Sequence, residues 1–570
     1  MATASSGSRT RSRTGVTIGF PVAGAGAHDP WSRRRTFPTY ATRGMIAAAH
    51  PLTVEAGLHI LRNGGNAIDA AVGAGVMAAV VMPEMCGLGG DLFAVVHMPG
   101  HDPIAVQGSG ISPRNASIEH MRAHGDNDGR TMPYQGPLSI SVPGMVDAYF
   151  RLLERFGTMT FAEVAAPAIA TARDGFPLLP NGAAALAQNA SLLARDEAAA
   201  AVFLPGGRPV AAGERLVQAD LARTLETLAT NGRESFYTGD LARRITGYLA
   251  SVGGKLDMDD FADHETDLTA PIATTYRDHT IYQTAIPSQG LILLESLNII
   301  AYADLSPDLT ADAIHTQVEA KKLAYADRLG HAADPKFHDT PLETLLGKAW
   351  AAERFARIDP DRAATDVPAG TFSPGDTTYL CVADGTGGMV SLIQSVSAAF
   401  GSCVVGGDTG VVLNNRVGRG FSLEDGHPNI YAPGKKTMHT LNCFSIAAPD
   451  GTPVLVGGTP GGDGQPQWNM QMISALLDRS LDVQAAIEQP RWTSLPGTDP
   501  DGIDQPFTLA VEDRFGADIL DALAAKGHTL VDRGAWGGGG SAQMIARDPE
   551  TGILIGGTDT RVEGTVLGFS

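Results

Sequence analysis

Residues 377–396 read TTYLCVADGTGGMVSLIQSV. Two runs rich in β-branched and apolar residues flank a glycine cluster, which predicts a strand, a glycine hairpin and a second strand. More short strands are expected downstream at 411–413, 454–456, 542–546 and 553–555, with parts of helices at 473–477 and 519–525. Upstream the texture is different. Residues 53–61 carry apolar residues at helical spacing, and Asn63-Gly64-Gly65 supplies the C-terminal stop. The stretch AIDAAVGAGVMAAVVM at 67–82 is almost wholly small and apolar, as in a buried helix packed on a sheet. A glycine turn at 85–91 then leads into a strand at 92–97. Helical segments dominate 142–252, strand-like pieces occupy 272–283, and a helical stretch runs from 291 to about 328. The Pro-, Gly- and Asp-rich segment 359–375 reads as a loop or linker. With strands gathered in one region and helices in another, the fold class is α+β, a layered sandwich.

The composition sets outer limits. The chain has 570 residues, 42 basic against 62 acidic side chains, a net charge of −20 and 43% hydrophobic residues. That length is enough to bury a sizeable core. The 68 glycines and 35 prolines exceed ordinary usage. With an ordinary apolar fraction, the excess means many turns and close backbone approaches, not disorder. The deficit of positive charge argues against a nucleic-acid partner, because phosphate binding needs a basic face. No stretch approaches the roughly 18 uninterrupted apolar residues of a membrane helix. Cys86, Cys381, Cys403 and Cys443 lie far apart without zinc spacing, so reduced, mostly buried thiols are expected in place of a disulfide scaffold.

Residues 1–38 form an N-terminal arm with six arginines between Ser, Thr and Gly. The mildly apolar stretch 16–27 has the outline of a weak secretory signal, but Thr17, Gly19, Pro21 and Gly24 break its apolar region. A disordered or surface-wrapping arm is the favoured reading, with the cytoplasm as the default location and export as the alternative.

Familiar chemical motifs are missing: no G-x-S-x-G elbow, no phosphate loop and no H-E-x-x-H helix. The G-x-G at 87–89 lacks the rest of a dinucleotide fingerprint and reads as a tight turn that brings backbone near a pocket. No cofactor and no metal site is expected. What stands out is Gly375-Asp376-Thr377-Thr378 at the junction of linker and strand. If the bond between Asp376 and Thr377 is cut, Thr377 carries a free α-amine beside its own hydroxyl. An α-amine titrates near pH 8, at about 7.7–8.0. It can therefore serve as general base for the hydroxyl, in the N-terminal-threonine form of nucleophilic catalysis. The same hydroxyl can make the first cut by attacking the Asp376 carbonyl. The plain alternative is that two threonines open a β-strand, as β-branched residues readily do. Thr459-Pro460-Gly461-Gly462-Asp463-Gly464 follows a strand and can aim backbone N–H groups at a developing oxyanion. An ordinary turn is the alternative there.

Taken together these pieces resemble the γ-glutamyltransferase family of N-terminal-nucleophile hydrolases. The resemblance covers about residues 42–570. It is carried in order by GMIAAAHPLTVEAGLHILRNGGNAIDAA (44–71), MCGLGGDLF (85–93), SVPGMVDAY (141–149), FGTMTFAEVAAPAIATARDGFPL (156–178), IPSQG (286–290), DTTY (376–379), GDTGVVLNN (407–415), GGTPGGDGQPQ (457–467) and GGTDTRVEGTVLGF (556–569). It implies a four-layer αββα sandwich made as one precursor, self-cleaved into a large subunit (39–376) and a small subunit (377–570). It further implies Thr377 as nucleophile and base. Ser395 stands where the family has a Thr bonded to the nucleophile, and Gly461 and Gly462 stand where the family has its oxyanion-hole pair.

The departures bear on substrate. Where family members place an Arg for the γ-glutamyl α-carboxylate, this chain reads Gln107-Gly108-Ser109-Gly110. Where they place an acid for the α-amine, it reads Asn414-Asn415-Arg416-Val417-Gly418-Arg419, and the paired serines become His439-Thr440. An ammonium beside Arg416 and Arg419 is repelled, whereas a carboxylate can be held bidentately. The expected substrate is a small amide whose acyl group bears a carboxylate and no nearby amine, as in oxamate amidohydrolases and glutaryl-type acylases. Arg416, Arg419, Ser109, His439 and Thr440 are the candidate contacts. Arg416 has an alternative role in an ion pair with an acid such as Asp408, and Arg419 in facing solvent. His439 either assists the carboxylate or orients a water. The competing functions are a true γ-glutamyltransferase or glutathione hydrolase, an unprocessed metabolite-binding pseudoenzyme and a hydrolase of another mechanism. Whether water or an amine accepts the acyl group, and whether the chain forms an oligomer, stay open.

Overall fold

In the computed structural model, which describes residues 35–305, 307–365, 367, 376–497 and 505–570, the 377–396 segment forms the strands Asp376–Asp384 and Met389–Ser397. They pair antiparallel, with a register shift between Asp376 and Thr378. Both lie inside a seven-stranded sheet whose order is Thr565–Phe569, Gly44–Ala48, Asp376–Asp384, Met389–Ser397, Asp91–His97, Ile104–Gly108 and Asp267–Thr269. Every neighbouring pair is antiparallel. A second seven-stranded sheet runs Thr39–Ala41, Leu554–Thr558, Gln543–Arg547, Pro453–Gly458, Phe444–Ala447, His279–Gln283 and Ile272–Tyr276, again antiparallel throughout.

Side-chain alternation fixes what each face meets, because successive residues of a strand point to opposite faces. Tyr379, Cys381 and Ala383 share one apolar cluster with Val456 and Ile545 of the second sheet and with Cys443, just ahead of its strand Phe444–Ala447. Leu380 and Val382 point the other way, into a cluster with the helices Pro51–Arg62 and Ala67–Val81. The outer face of the second sheet is covered in the same manner by Gly290–Ile300 and Gly464–Leu477. A strand buried on both faces reads as a continuous apolar run, and that is why TTYLCVAD shows no clear polar alternation. Every residue of Ala67–Val81 is buried, and Asn66 and Asp69 close its N-terminus in a reciprocal capping box. Such a cap contributes about 1 kcal/mol, and each large apolar side chain below it about 1.5–3 kcal/mol.

Three sequence expectations change. Residues 411–413 make isolated bridges to Val405 and Gly89 in place of a sheet strand. The helical stretch 291–328 is two helices, Gly290–Ile300 and Ala311–His331. Strands and helices are not segregated along the chain: each sheet combines strands from before and after residue 376, since pairing between distant segments leaves no local pattern. Most of the arm at 1–38 and residues 368–375 of the linker lie outside the described residues. Arg35 and Thr36 donate backbone N–H groups to the Glu488 carboxylate, and the Arg35 guanidinium sits 4.4 Å from the Trp536 ring centre. All four cysteines are buried and free. Among the described residues no helix is long and apolar enough to cross a membrane.

Candidate active site

Thr377 shares the inter-sheet face with Tyr379 by strand alternation. It is 1% exposed, and its Oγ1 donates to Ser395 Oγ at 3.1 Å. The register shift at this point sets Asp376 opposite Ser397 and Thr378 opposite Gln394. The one extra residue on the partner side bulges that strand, as bulges do where a side chain must be re-aimed. Thr378 points to the helical side, with its hydroxyl 3.6 Å from the Met82 sulfur. Only the first of the two threonines therefore reaches the inter-sheet site. Ser395 is held from both sides: its Oγ accepts from the Ser397 amide at 2.7 Å, and its carbonyl lies where a Cβ on Gly90 would come within 2.3 Å. The glycine turn at 85–91 is thus needed for close backbone approach to the site, as the sequence suggested.

The turn at 459–464 comes near Thr377 through Pro460. Pro460 and Thr377 line one small cavity of ≈ 40 Å³ with His50, Glu84 and Ser541. Gly461 and Gly462 have φ of +128° and +53°, backbone that favours glycine. A side chain on Gly461 would also strike the Trp468 ring at 2.2 Å. The Gly461 carbonyl accepts from the Gly464 amide at 2.8 Å and that of Gly462 from the Gln465 amide at 3.2 Å. Among the described residues neither Gly461 nor Gly462 gives its own N–H to a backbone acceptor.

Strand register carries the site onward. Ser395 is opposite Asp91, and Ser109 follows Gly108, the partner of Leu92. Ser109 Oγ and His439 Nε2 are 2.5 Å apart. Arg416 Nε donates to Asp91 Oδ2 at 3.1 Å, and His439 Nε2 lies 4.0 Å from the same oxygen. Asp91, Ser109, Arg416 and His439 are each at most 1% exposed. Asn414 anchors the Arg416 end: its Oδ1 accepts from the Arg416 amide at 2.9 Å and its Nδ2 donates to the Gly89 carbonyl at 2.8 Å. Burial, helped by Arg416, Lys436 and Arg328, holds the His439 imidazole well below its usual range, so it is neutral. Burial pushes the Asp91 carboxyl up to about 6 against the opposing pull of Arg416. Thr440 Oγ1 and His439 Nδ1 are buried without a partner among the described residues.

The alternatives weighed for the two arginines come out differently, for Arg416 is in an ion pair with an acid, as its alternative had it, and Arg419 is not exposed. The acid that holds Arg416 is Asp91, not Asp408. Asp408 instead pairs with Arg244 at 2.9 Å on another part of the molecule. Arg419 does not face solvent: it is 3% exposed and donates to the Ser397 carbonyl at 3.2 Å. The structure thus brings Thr377, Ser395, the Gly461–Gly462 turn, Ser109, Arg416, His439, Thr440 and Arg419 into one buried region. Asp91 was missed as a site residue because it closes a glycine turn and looks structural there. Its signal was a carboxylate at the head of the apolar run DLFAVV, where a buried charge needs a partner.

One group of potential metal ligands lies elsewhere, at His315, Glu319 and His528. Their ligand atoms are already engaged. His315 Nδ1 bonds His528 Nε2 at 2.8 Å, and Glu319 holds the Lys322 ammonium at 2.7 Å and the Ala364 amide at 3.1 Å. A cation there would have to displace Lys322.

With this geometry in hand, comparison with known proteins gives a consistent result. The family model described as Gamma-glutamyltranspeptidase matches residues 53–569. The chain is 37% identical over 536 residues to the glutathione hydrolase-like YwrD proenzyme of Bacillus subtilis, covering 93% of this chain and 99% of that protein. It is 35% identical over 536 residues to an oxamate amidohydrolase proenzyme of Klebsiella pneumoniae, covering 93% and 99%. Among solved structures, a cephalosporin acylase from Bacillus halodurans superposes with a TM-score of 0.87 at 34% identity, covering 94% of this chain and 97% of the other.

Proposed function

Because this chain belongs to the gamma-glutamyltranspeptidase family, an enzyme family of amidohydrolases and γ-glutamyl-type acyltransferases made as proenzymes, we propose that it cuts itself between Asp376 and Thr377 and then hydrolyses small amides with a carboxylate-bearing acyl group. The observation that carries this reading is the Thr377–Ser395 hydroxyl contact, at the head of a strand and beside a glycine turn with left-handed backbone.

In the first step the Thr377 hydroxyl adds to the Asp376 carbonyl. The peptide C–N bond breaks, its nitrogen takes the proton to become the Thr377 amine, and water hydrolyses the resulting ester. The products are residues 1–376, which carry the N-terminal arm ahead of the large subunit at 39–376, and a small subunit, 377–570, in a four-layer αββα frame. Gly44–Ala48 lies between Thr565–Phe569 and Asp376–Asp384, so sheet hydrogen bonds tie the two pieces together after the cut. In turnover the freed amine takes the hydroxyl proton and Oγ1 attacks the substrate carbonyl. Ser395 orients Oγ1, and the Gly461 and Gly462 amides hold the developing oxyanion. The leaving amine departs with a proton, and water or a second amine then opens the acyl-threonine ester.

The acyl group extends toward Ser109, Arg416, Arg419, His439 and Thr440. Two buried guanidinium groups, and polar atoms on His439 and Thr440 that have no partner among the described residues, suit a carboxylate. The name of one relative, the oxamate amidohydrolase, points the same way, whereas that of the glutathione hydrolase-like proenzyme points to γ-glutamyl compounds. Asp91 favours a second reading: a carboxylate in this pocket is a partner for an α-ammonium, so γ-glutamyl compounds compete. The deciding experiment compares the cleaved protein on glutaryl-anilide and γ-glutamyl-anilide, with Thr377→Ala as the blank. Faster turnover of the glutaryl compound is expected. Much faster turnover of the amino compound would transfer the assignment to γ-glutamyl substrates.

A further inference from the structure

Gln289 is fully buried in the IPSQG segment, and its side chain touches two separate parts of the site. A primary amide has two N–H donors on one nitrogen. Here one goes to the Thr440 carbonyl and the other to the Gly462 carbonyl, the latter at 2.8 Å. Arg328 Nη1 lies 3.4 Å from Gln289 Oε1, which sets the orientation of the amide, and 3.0 Å from Asp463 Oδ1. Tyr325 Oη donates to the Asp463 carbonyl. The Gln289 main-chain N–H donates to the His439 carbonyl at 2.9 Å. One buried side chain thus joins residues 439–440, where the acyl tail is placed, to residues 462–463, beside the amides placed at the reacting carbonyl.

We propose that Gln289, steadied by Arg328, is a positioning residue that fixes the separation between the two ends of the acyl group and so sets the acyl chain length the enzyme accepts. The proposal rests on the assignment of Gly461 and Gly462 as oxyanion donors and of His439 and Thr440 as tail contacts. The Gly461 carbonyl is already locked by Gly464, so the peptide between Gly461 and Gly462 cannot rotate while Gln289 holds the next one. A ruler of this kind matters because misplacement by about 1 Å costs on the order of 100-fold in rate. One methylene is worth roughly 10–200-fold in discrimination.

The test uses cleaved wild type, Gln289→Met and Gln289→Glu. Both variants keep the side-chain length and lack the two donors, and the Glu variant keeps an acceptor for Arg328. Each is assayed on oxalyl-, succinyl-, glutaryl- and adipyl-anilide. Wild type should prefer one length sharply. In the variants kcat on that length should fall roughly 10–100-fold, and the preference over neighbouring lengths should flatten toward unity. A variant that loses rate equally on all four, keeping the wild-type ratios, would overturn the proposal, since that is the mark of a merely structural residue. Amide hydrogen exchange provides the second arm. Residues 439–440 and 461–463 should both exchange faster in Gln289→Met, and unchanged protection in either segment also overturns the proposal. Should wild type turn over none of the four anilides, the substrate assignment falls by itself, and exchange still decides whether Gln289 couples the two segments.

Discussion

The hydroxyl pair Thr377–Ser395 and the charged cluster Asp91–Arg416–Ser109–His439 meet where Ser395 stands opposite Asp91 on neighbouring strands, yet they are built in opposite ways. The hydroxyl pair joins residues 18 apart in sequence, on two arms of one hairpin. Its own hydrogen bond joins two neutral groups. The charged cluster joins residues 325 and 330 apart, each from a different segment. It buries a carboxylate and a guanidinium that must answer each other. The difference teaches that the proposed reacting group is a local device, whereas the proposed substrate contacts are a product of long-range assembly. A buried acid also changes the reading of a pocket from simply cationic to balanced.

Four experiments can break or sharpen that contrast. The largest effect is expected for Thr377→Ala, which should stay a single uncut band on a denaturing gel and show no turnover above the solvent rate. Cleavage in that variant would move the reacting group elsewhere. Arg416→Met removes the guanidinium and leaves the buried Asp91 carboxylate without its cation, so it should destabilise the protein by about 3–5 kcal/mol, read as a loss in denaturant midpoint at unchanged slope. A shift under about 1 kcal/mol would mean that the cluster is looser than the distances imply. Gly461→Ala meets both the left-handed φ and the Trp468 ring. If the turn holds the oxyanion, kcat should drop on the order of 100- to 1000-fold, whereas a plain turn would show mainly lower stability.

The smallest effect is in pH. Asp91 titrates in the folded protein at about 6. Below that pH it is neutral and the cluster gains net positive charge. Above it the negative charge returns. The KM for a carboxylate-bearing amide should therefore rise by a few-fold as pH climbs through about 6, and the rise should vanish in Asp91→Asn. A KM that is flat across this range in the wild type would remove Asp91 from the substrate's surroundings.

Much of the nucleophile end was legible. DTTY at the opening of an apolar strand, the hairpin glycines and PGGDG after a second strand are local patterns, and each maps onto one turn or one strand end. Arg416 and Arg419 were legible as charges but not as partners. Asp91 lies more than 300 residues from Arg416, and Asp408, nearer in sequence, turned out to pair with Arg244. Gln289 and Arg328 gave no signal of this kind, because a Gln in a loop and an Arg on a helix acquire meaning only from what they reach. The expected strand at 411–413 was a similar case: its β-branched residues suit a strand, but the neighbouring chain offers only isolated bridges.

The sequence alone determined that the chain has apolar strands, buried small-residue helices, a threonine at a strand head and glycines where backbone must turn sharply. These follow from local sterics and from the periodicity of burial, and both act over a few residues. Only the tertiary structure decided which of two threonines faces the gap between the sheets, which acid neutralises Arg416, and that one amide side chain spans two walls of the site. Such choices depend on hydrogen bonds and ion pairs between segments hundreds of residues apart, and their energy exists only once folding has excluded water from between them.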